Sequence, residues 1–450
     1  MLKPDKKLLT RFALALFLLG LALSAPDVKA APGPAAGKTI VLMAARMFDG
    51  TSDRIVTPGL VVVTDGKIVA VGGNPSIPAG AEVIDLGDAT LLPGFIDAHT
   101  HLTGGDSSDW KQKFIDQLQK PIAEMAINST VNARKTLMAG FTMVRDVGSE
   151  DQLDVGLRNA IRNGKVPGPR MLVSVHAIGA TGGHCDESGF RQGLFPETTP
   201  EKDVVNGADE ARRAVRIAVK YGADVIKTCA TGGVLSLTDD VDTPQLTQEE
   251  LNALVDEAHA LRRKTAAHAH GATGAKRAIR AGIDSIEHGS FLDDEALDMM
   301  KARGTFLVPT RMALLGVQER IANDSGLPQA IVDKGKAAIE GSGKTFQRAL
   351  AKGVRIAFGT DAGVYPHGRN AGEFYEMVRL GMKPADALHT TANAAELLGW
   401  AGRVGTLEAG KLADVVAVPG NPLDDIHQTE KVLFVMKDGI VYRNDRAPAR

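Results

Sequence analysis

A chain of 450 residues with 44% hydrophobic and 24% charged residues has a globular composition, long enough for one large barrel with additions or for two to three domains. A formal net charge of -2 gives no pull toward nucleic acid or an acidic membrane surface, so neither is expected as a partner. Two cysteines, Cys185 and Cys229, are too few for a disulfide-dense scaffold; they pair if their Cα atoms lie within roughly 7 Å, and otherwise stay as two buried thiols, the arrangement expected here.

In chain order, Lys3, Lys6, Lys7 and Arg11 precede an apolar run at 12–24, and Val28-Lys29-Ala30 offers small residues at cleavage positions. This is the three-part pattern of a secretory signal peptide over residues 1–30. The run is shorter than the ~18 residues of a membrane span. We therefore expect secretion, into a bacterial periplasm, with no membrane attachment after cleavage.

Residues 31–90 read as short strands and turns, with Asp65-Gly66 between two β-branched runs as a hairpin signal. A matching piece lies at 401–450, where Asp438-Gly439 turns between two strands. Two such fragments at opposite ends predict one β-sandwich built from both. Between them, 91–400 alternates apolar strands with amphipathic helices. Strands are predicted at 91–99, 141–147, 170–178, 223–230, 264–270, 284–290, 305–310 and 355–363, and helices at 125–139, 151–163, 208–221, 247–262, 272–281, 293–302 and 329–351. The expected class is α/β: a (β/α)8 TIM barrel with a small β-sandwich from the chain ends. An open doubly wound sheet competes, but no Gly-rich phosphate fingerprint follows the first strand.

Chemistry in such a barrel belongs at the C-terminal ends of the strands. The sequence places His99 and His101 after the first strand, Lys227 after the fourth, His268 and His270 after the fifth, His288 after the sixth and Asp361 after the eighth. Side chains at i and i+2 of a strand share a face, so His99 and His101 can turn on one object, most simply a metal ion. A lone histidine is usually a satisfied core or surface residue and a lone aspartate often a helix cap; joint occurrence on one rim is harder to dismiss. Lys227 sits in an apolar strand where its ammonium would be desolvated. Reaction of its amine with carbon dioxide gives an anionic carbamate that can bridge two cations.

These motifs resemble the metal-dependent amidohydrolase superfamily over nearly everything after residue 30. GFIDAHTHL and GTDAG match the family's wording, while TGGHCDESG, AAHAHG and IEHGS resemble its imidazolonepropionase-like, Xaa-Pro dipeptidase and ochratoxin-hydrolysing carboxypeptidase-like branch. The resemblance implies that His99, His101 and Asp361 bind a buried metal, His268 and His288 a more exposed one, and carbamylated Lys227 bridges them. His270 and His184 would face the substrate. Two zinc ions are implied, with manganese or cobalt accepted by the same ligands.

The implied activity is hydrolysis of an amide C–N bond in a small-molecule or peptide substrate: a dipeptide, an N-acyl amino acid, or an aryl amide such as ochratoxin A. A hydroxide held between the metals attacks, His270 or His184 polarises the carbonyl, and Asp361 carries the proton to the leaving nitrogen. Competing readings are a deaminase or cyclic-imide hydrolase on the same barrel, with Lys227 arguing against the one-metal deaminases, and a binding protein that keeps only the fold. Supporting residues are expected at Asp97, Arg145, Asp146 and Glu287. Arg311, Tyr365, His367 and Arg369 lie where an arginine could clamp a carboxylate. A homo-oligomer, octamers included, is implied by the resemblance alone.

Overall fold

In the computed structural model the described residues are 38–72, 76–104 and 109–446, so the expected signal segment lies outside them. Asp65 and Gly66 both take positive φ, 50° and 75°, as do Asp438 and Gly439 at 52° and 76°. Positive φ at both central residues is what a two-residue hairpin turn needs to match strand twist. The first turn joins Gly59–Thr64 to Lys67–Val71 and the second joins Phe434–Lys437 to Ile440–Asn444, both antiparallel.

Thr39–Ala44, Gly59–Thr64, Lys67–Val71 and Glu82–Asp85 form one four-stranded sheet. A five-stranded mixed sheet combines Arg46–Met47 and Ala89–Pro93 from the first part of the chain with Val415–Pro419, Phe434–Lys437 and Ile440–Asn444 from the last. Leu42, Val61 and Val63 of the first sheet share an apolar cluster with Leu91, Val415, Ala417, Phe434 and Met436 of the second. Burying each such side chain stabilises by about 1.5–3 kcal/mol, which ties the two ends of the chain together.

The middle of the chain carries parallel strands buried on both faces, which is why they read as continuous apolar runs rather than alternating ones. Phe95–Thr100, Phe141–Asp146 and Arg170–Val173 form one parallel sheet; Val204–Val205, Ala177–Ala180, Val225–Cys229, Lys264–Gly271, Ser285–Phe291 and Phe306–Val308 form another in that order. Helices between them end near their predicted limits. Gln248–Ala260, for example, starts with a capping box in which Thr247 and Glu250 satisfy each other's backbone amides.

Three predicted strands differ. The run 91–99 divides between two sheets: Pro93 is the last residue paired with Val415, and having no N–H it ends that ladder, so the chain passes through Gly94 into Phe95–Thr100. The run 170–178 breaks at Val175, whose φ of 70° a β-branched residue adopts only under constraint. The segment 355–363 forms no regular ladder but bonds to both neighbours: Ala357 N–H donates to Leu307 O at 2.9 Å, and Ala98 N–H donates to Phe358 O at 2.9 Å.

The helices Trp110–Gln119, Arg311–Ala322, Gly372–Arg379 and Pro384–Leu397 were not predicted. Arg311–Ala322 buries residues on most of its circumference and so lacks the one-sided apolar stripe that marks a helix in sequence. The two cysteines, expected as free thiols, are instead joined, with Cα atoms 6.1 Å apart. The loop after Ala177–Ala180 folds back and sets Cys185 over the end of the neighbouring strand Val225–Cys229, a proximity that 44 residues of separation do not announce. Among the described residues no helix is long and apolar enough to cross a membrane.

Candidate metal centre

Main-chain hydrogen bonds lock the first strand's end to the segment carrying Asp361. Asp361 N–H donates to His99 O at 2.8 Å and His101 N–H to Ala362 O at 2.8 Å. His99, His101 and Asp361 thereby form a group whose nitrogen and carboxylate atoms lie within 4.8 Å of one another. His268, His270 and His288 form a second such group. The groups touch: the His99 and His288 rings are 5.0 Å apart, and His288 lies 4.6 Å from His268. Asp361 and His288 hold positive φ, 60° and 69°, backbone conformations that cost energy and persist only where the surroundings impose them.

Each ring has one nitrogen engaged outward. His99 Nδ1–H donates to Glu287 Oε2 at 2.7 Å, His101 Nδ1–H to Gly148 O at 3.1 Å, and His268 Nε2–H to Gly232 O at 3.0 Å. These acceptors cannot give a proton back, so in the neutral rings the opposite nitrogen carries a lone pair. His288 Nδ1 meets Thr310 Oγ1 at 2.7 Å and His270 Nδ1 meets Ser290 Oγ at 2.8 Å.

Burial, and then the Lys227 ammonium, push His99 down to about 4; burial, then His184, pushes His270 to about 3. His268 and His288 are driven well below the usual imidazole range, again first by burial. Neutral imidazoles are what a metal ion requires.

Asp361 Oδ1 is buried, lies 3.3 Å from His101 Nε2 and 3.6 Å from His99 Nε2, and among the described residues accepts no well-formed hydrogen bond. Burial opposes its charge, yet His99, His101 and Lys227 hold its pKa at about 2. Two lone pairs and a carboxylate oxygen turned on one point repel each other unless a cation lies among them. The raised pKa of His101 has the same origin: burial disfavours its cation, but Asp361 more than offsets this. The donor set therefore fits a metal ion.

Lys227 is 4% exposed, and none of the described residues hydrogen-bonds its amine. Burial lowers its pKa to about 8, against the pull of Glu287 and Asp361. Its charge lowers the pKa of His99 and His101 in one group and of His268 and His288 in the other.

The four expected supporting residues all reach this centre. Glu287 accepts from His99 Nδ1–H and pairs with Arg145 Nη2 at 2.7 Å; Arg145 Nε also donates to Ala98 O at 2.5 Å. Asp97 accepts from His99 N–H at 3.0 Å and Thr360 Oγ1 at 2.6 Å, tying the two strand ends, though burial raises it to about 6. Asp146 accepts Leu102 N–H at 2.6 Å, and burial raises it to about 7.

His184 stacks on His268 with ring centroids 4.3 Å apart. Ser236 Oγ gives its proton to Asp239 Oδ1 at 2.5 Å, so it can only accept from His184 Nδ1–H at 3.0 Å. Neutral His184 therefore offers a lone pair at Nε2. The arginines proposed as carboxylate clamps are engaged elsewhere: Arg369 forms two hydrogen bonds with Glu319, at 2.9 and 2.6 Å, and buried Arg311 lies 3.6 Å from Glu376 and donates to Ile339 O. Tyr365 packs with Met312 and Ala362, and His367 is buried.

Sequence reasoning missed the ring partners Gly148, Gly232, Ser236, Ser290 and Thr310. Only the paired glycines of TCATGG hinted at a loop pressed against a ligand.

The model of the amidohydrolase family matches residues 90–441. Ochratoxinase of Aspergillus niger is 32% identical over 430 residues, spanning 90% of this chain and 87% of that enzyme. Imidazolonepropionase of Cutibacterium acnes is 26% identical over 384 residues, spanning 81% and 87%. The solved structure of a Xaa-Pro dipeptidase with methionine bound in its active site is 40% identical, with TM-score 0.85 over 90% of this chain and 100% of that one.

Proposed function

The chain belongs to the amidohydrolase family and is a metal-dependent enzyme acting on C–N bonds, and from that premise we propose that it hydrolyses the amide bond of dipeptides, N-acyl amino acids or aryl amides of the ochratoxin kind. The observation that carries this reading is the outward commitment of one nitrogen on each of His99, His101 and His268, which leaves their lone pairs and Asp361 facing inward.

His99, His101 and Asp361 would hold one zinc ion and His268 and His288 a second, with manganese or cobalt as substitutes. When bound, the two ions supply Lewis acidity toward the scissile carbonyl and make water a nucleophile near neutral pH. Lys227, with its pKa near 8, is neutral often enough for its Nζ to bond to carbon dioxide, releasing a proton and leaving a carbamate. That anion removes the cost of a bare ammonium in an apolar strand and bridges the two groups. Asp361, ionised because its pKa is about 2, takes the proton from the attacking water at a carboxylate oxygen and passes it to the leaving nitrogen. His270, fixed by Ser290, orients the carbonyl.

We read the parallel strands as a closed (β/α)8 barrel over 91–400 and the chain-end sheets as a sandwich of 31–90 and 401–450. Support for closure comes from residues 355–362, which bond to Leu307 on one side and to Ala98 and His101 on the other. Export by residues 1–30 to a periplasm is supported by the sequence pattern. Self-association, up to an octamer, is supported by exposed Leu118, Ile127 and Val131.

A panel of Xaa-Pro dipeptides, N-acyl amino acids and aryl amides tests the substrate class. Release of a free amino acid from at least one class is expected, at a rate that falls on chelation and returns with zinc. Turnover of cyclic imides or amidines alone would overturn the assignment.

A further inference from the structure

His184 sits on a loop, 181–199, and the ties beside it run to one neighbouring segment. Its backbone N–H donates to Gln245 Oε1 at 2.9 Å, its ring to Ser236, and Ser188 Oγ accepts from Thr238 Oγ1 at 2.9 Å. Gln245, Ser236 and Thr238 all belong to the segment that leaves the strand Val225–Cys229. Each such bond is individually weak. The covalent tie is Cys185–Cys229, placed beside His184 in sequence and two residues beyond Lys227.

Two glycines make room for Cys185 and His184. A Cβ at Gly179 would lie 2.7 Å from Cys185 Cβ, so the strand Ala177–Ala180 can let Cys185 cross only with glycine there. A Cβ at Gly233 would lie 2.2 Å from the His184 ring, so that ring lies flat between the Gly233 backbone and His268. The far side of the segment is anchored independently. Lys334, from the helix Gln329–Lys352, donates to Gly233 O and Ser236 O at 2.7 Å each, to Asp239 O at 2.9 Å and to Asp239 Oδ1 at 3.2 Å. Asp239 in turn accepts from Ser236 and Gln245, the two residues that hold His184.

We infer that the Cys185–Cys229 bond is a positioning element: together with Lys334 it fixes His184 against the metal centre, and substrate turnover depends on the oxidised state. The inference rests on the reading that His184 faces the substrate. Two-electron reduction by a phosphine, which leaves as its oxide with oxygen from water, breaks the S–S bond and yields two thiols. The stretch around His184 then keeps non-covalent ties alone, and His184 loses its register over His268.

The test compares oxidised protein, phosphine-reduced and alkylated protein, and the C185S/C229S double variant, each with and without His184→Ala. With His184 present, loss of the bond should lower kcat/KM about tenfold or more while metal content stays unchanged; in the His184→Ala background it should have little further effect, because the two changes act through one group. Equal losses in both backgrounds would mark a general structural role and overturn the inference, as would no loss in either. Hydrogen exchange of backbone amides 181–190 needs no substrate: it should rise on reduction, and unchanged protection would overturn the inference even if no amide proves to be a substrate. Absence of amide hydrolysis in the oxidised protein, with exchange still responsive to reduction, would instead fall on the hydrolase reading.

Discussion

Lys227→Ala should lose more activity than the roughly 10–100-fold that even an outer partner of a metal ligand is worth, together with much of the bound metal. Lys227 is 4% exposed, no described residue hydrogen-bonds its amine, and its charge bears on both histidine groups. An ammonium left bare at that place would repel two cations and gain nothing in return. As a carbamate it contributes two oxygens and a negative charge between them. Short carboxylic acids should therefore restore part of the activity of Lys227→Ala by occupying the same place. Wild-type kcat/KM in the variant, measured on whichever substrate the panel identifies, would remove the bridge from the account.

Asp361→Asn separates holding a metal from moving a proton. The amide keeps an oxygen in place of Oδ1, and the backbone bonds from Asp361 N–H to His99 O and from His101 N–H to Ala362 O are untouched. Most metal should stay. Turnover should fall by about 10²–10⁴-fold, the usual worth of a positioned acid–base group, because an amide cannot take up the proton. The loss should appear in kcat more than in KM. Near-normal kcat would show that another group carries the proton.

The grouping of candidate ligands was legible in the sequence because parallel strands bring their C-terminal ends to one side of a sheet. His99, His101 and Asp361, and His268 and His288, each follow an apolar run and do gather in two groups, while their roles as ligands came from the family resemblance. The strands around them were legible for the same reason, since burial on both faces leaves a continuous apolar signature. What stayed hidden depended on contacts that carry no period. Pro93 reads as a harmless residue inside an apolar run until its partner Val415 is known. Val175 gives no sign that its backbone must reverse, and the helix Arg311–Ala322 is buried all round. The proximity of Cys185 to Cys229 and the Lys334 anchor under His184 arise from loops whose paths sequence pattern does not fix. That Arg311 and Arg369 are paired with Glu376 and Glu319 was hidden because those carboxylates come from elsewhere in the fold.

Two groups of side chains, with Lys227 as the proposed bridge, are expected to enclose a pair of cations. Metal analysis of the purified protein, reconstituted with zinc and bicarbonate and freed of loosely bound ions, tests this most directly. Close to two equivalents per chain are expected. A single tightly held equivalent that supports full activity would contradict the account and favour a one-metal deaminase on the same scaffold.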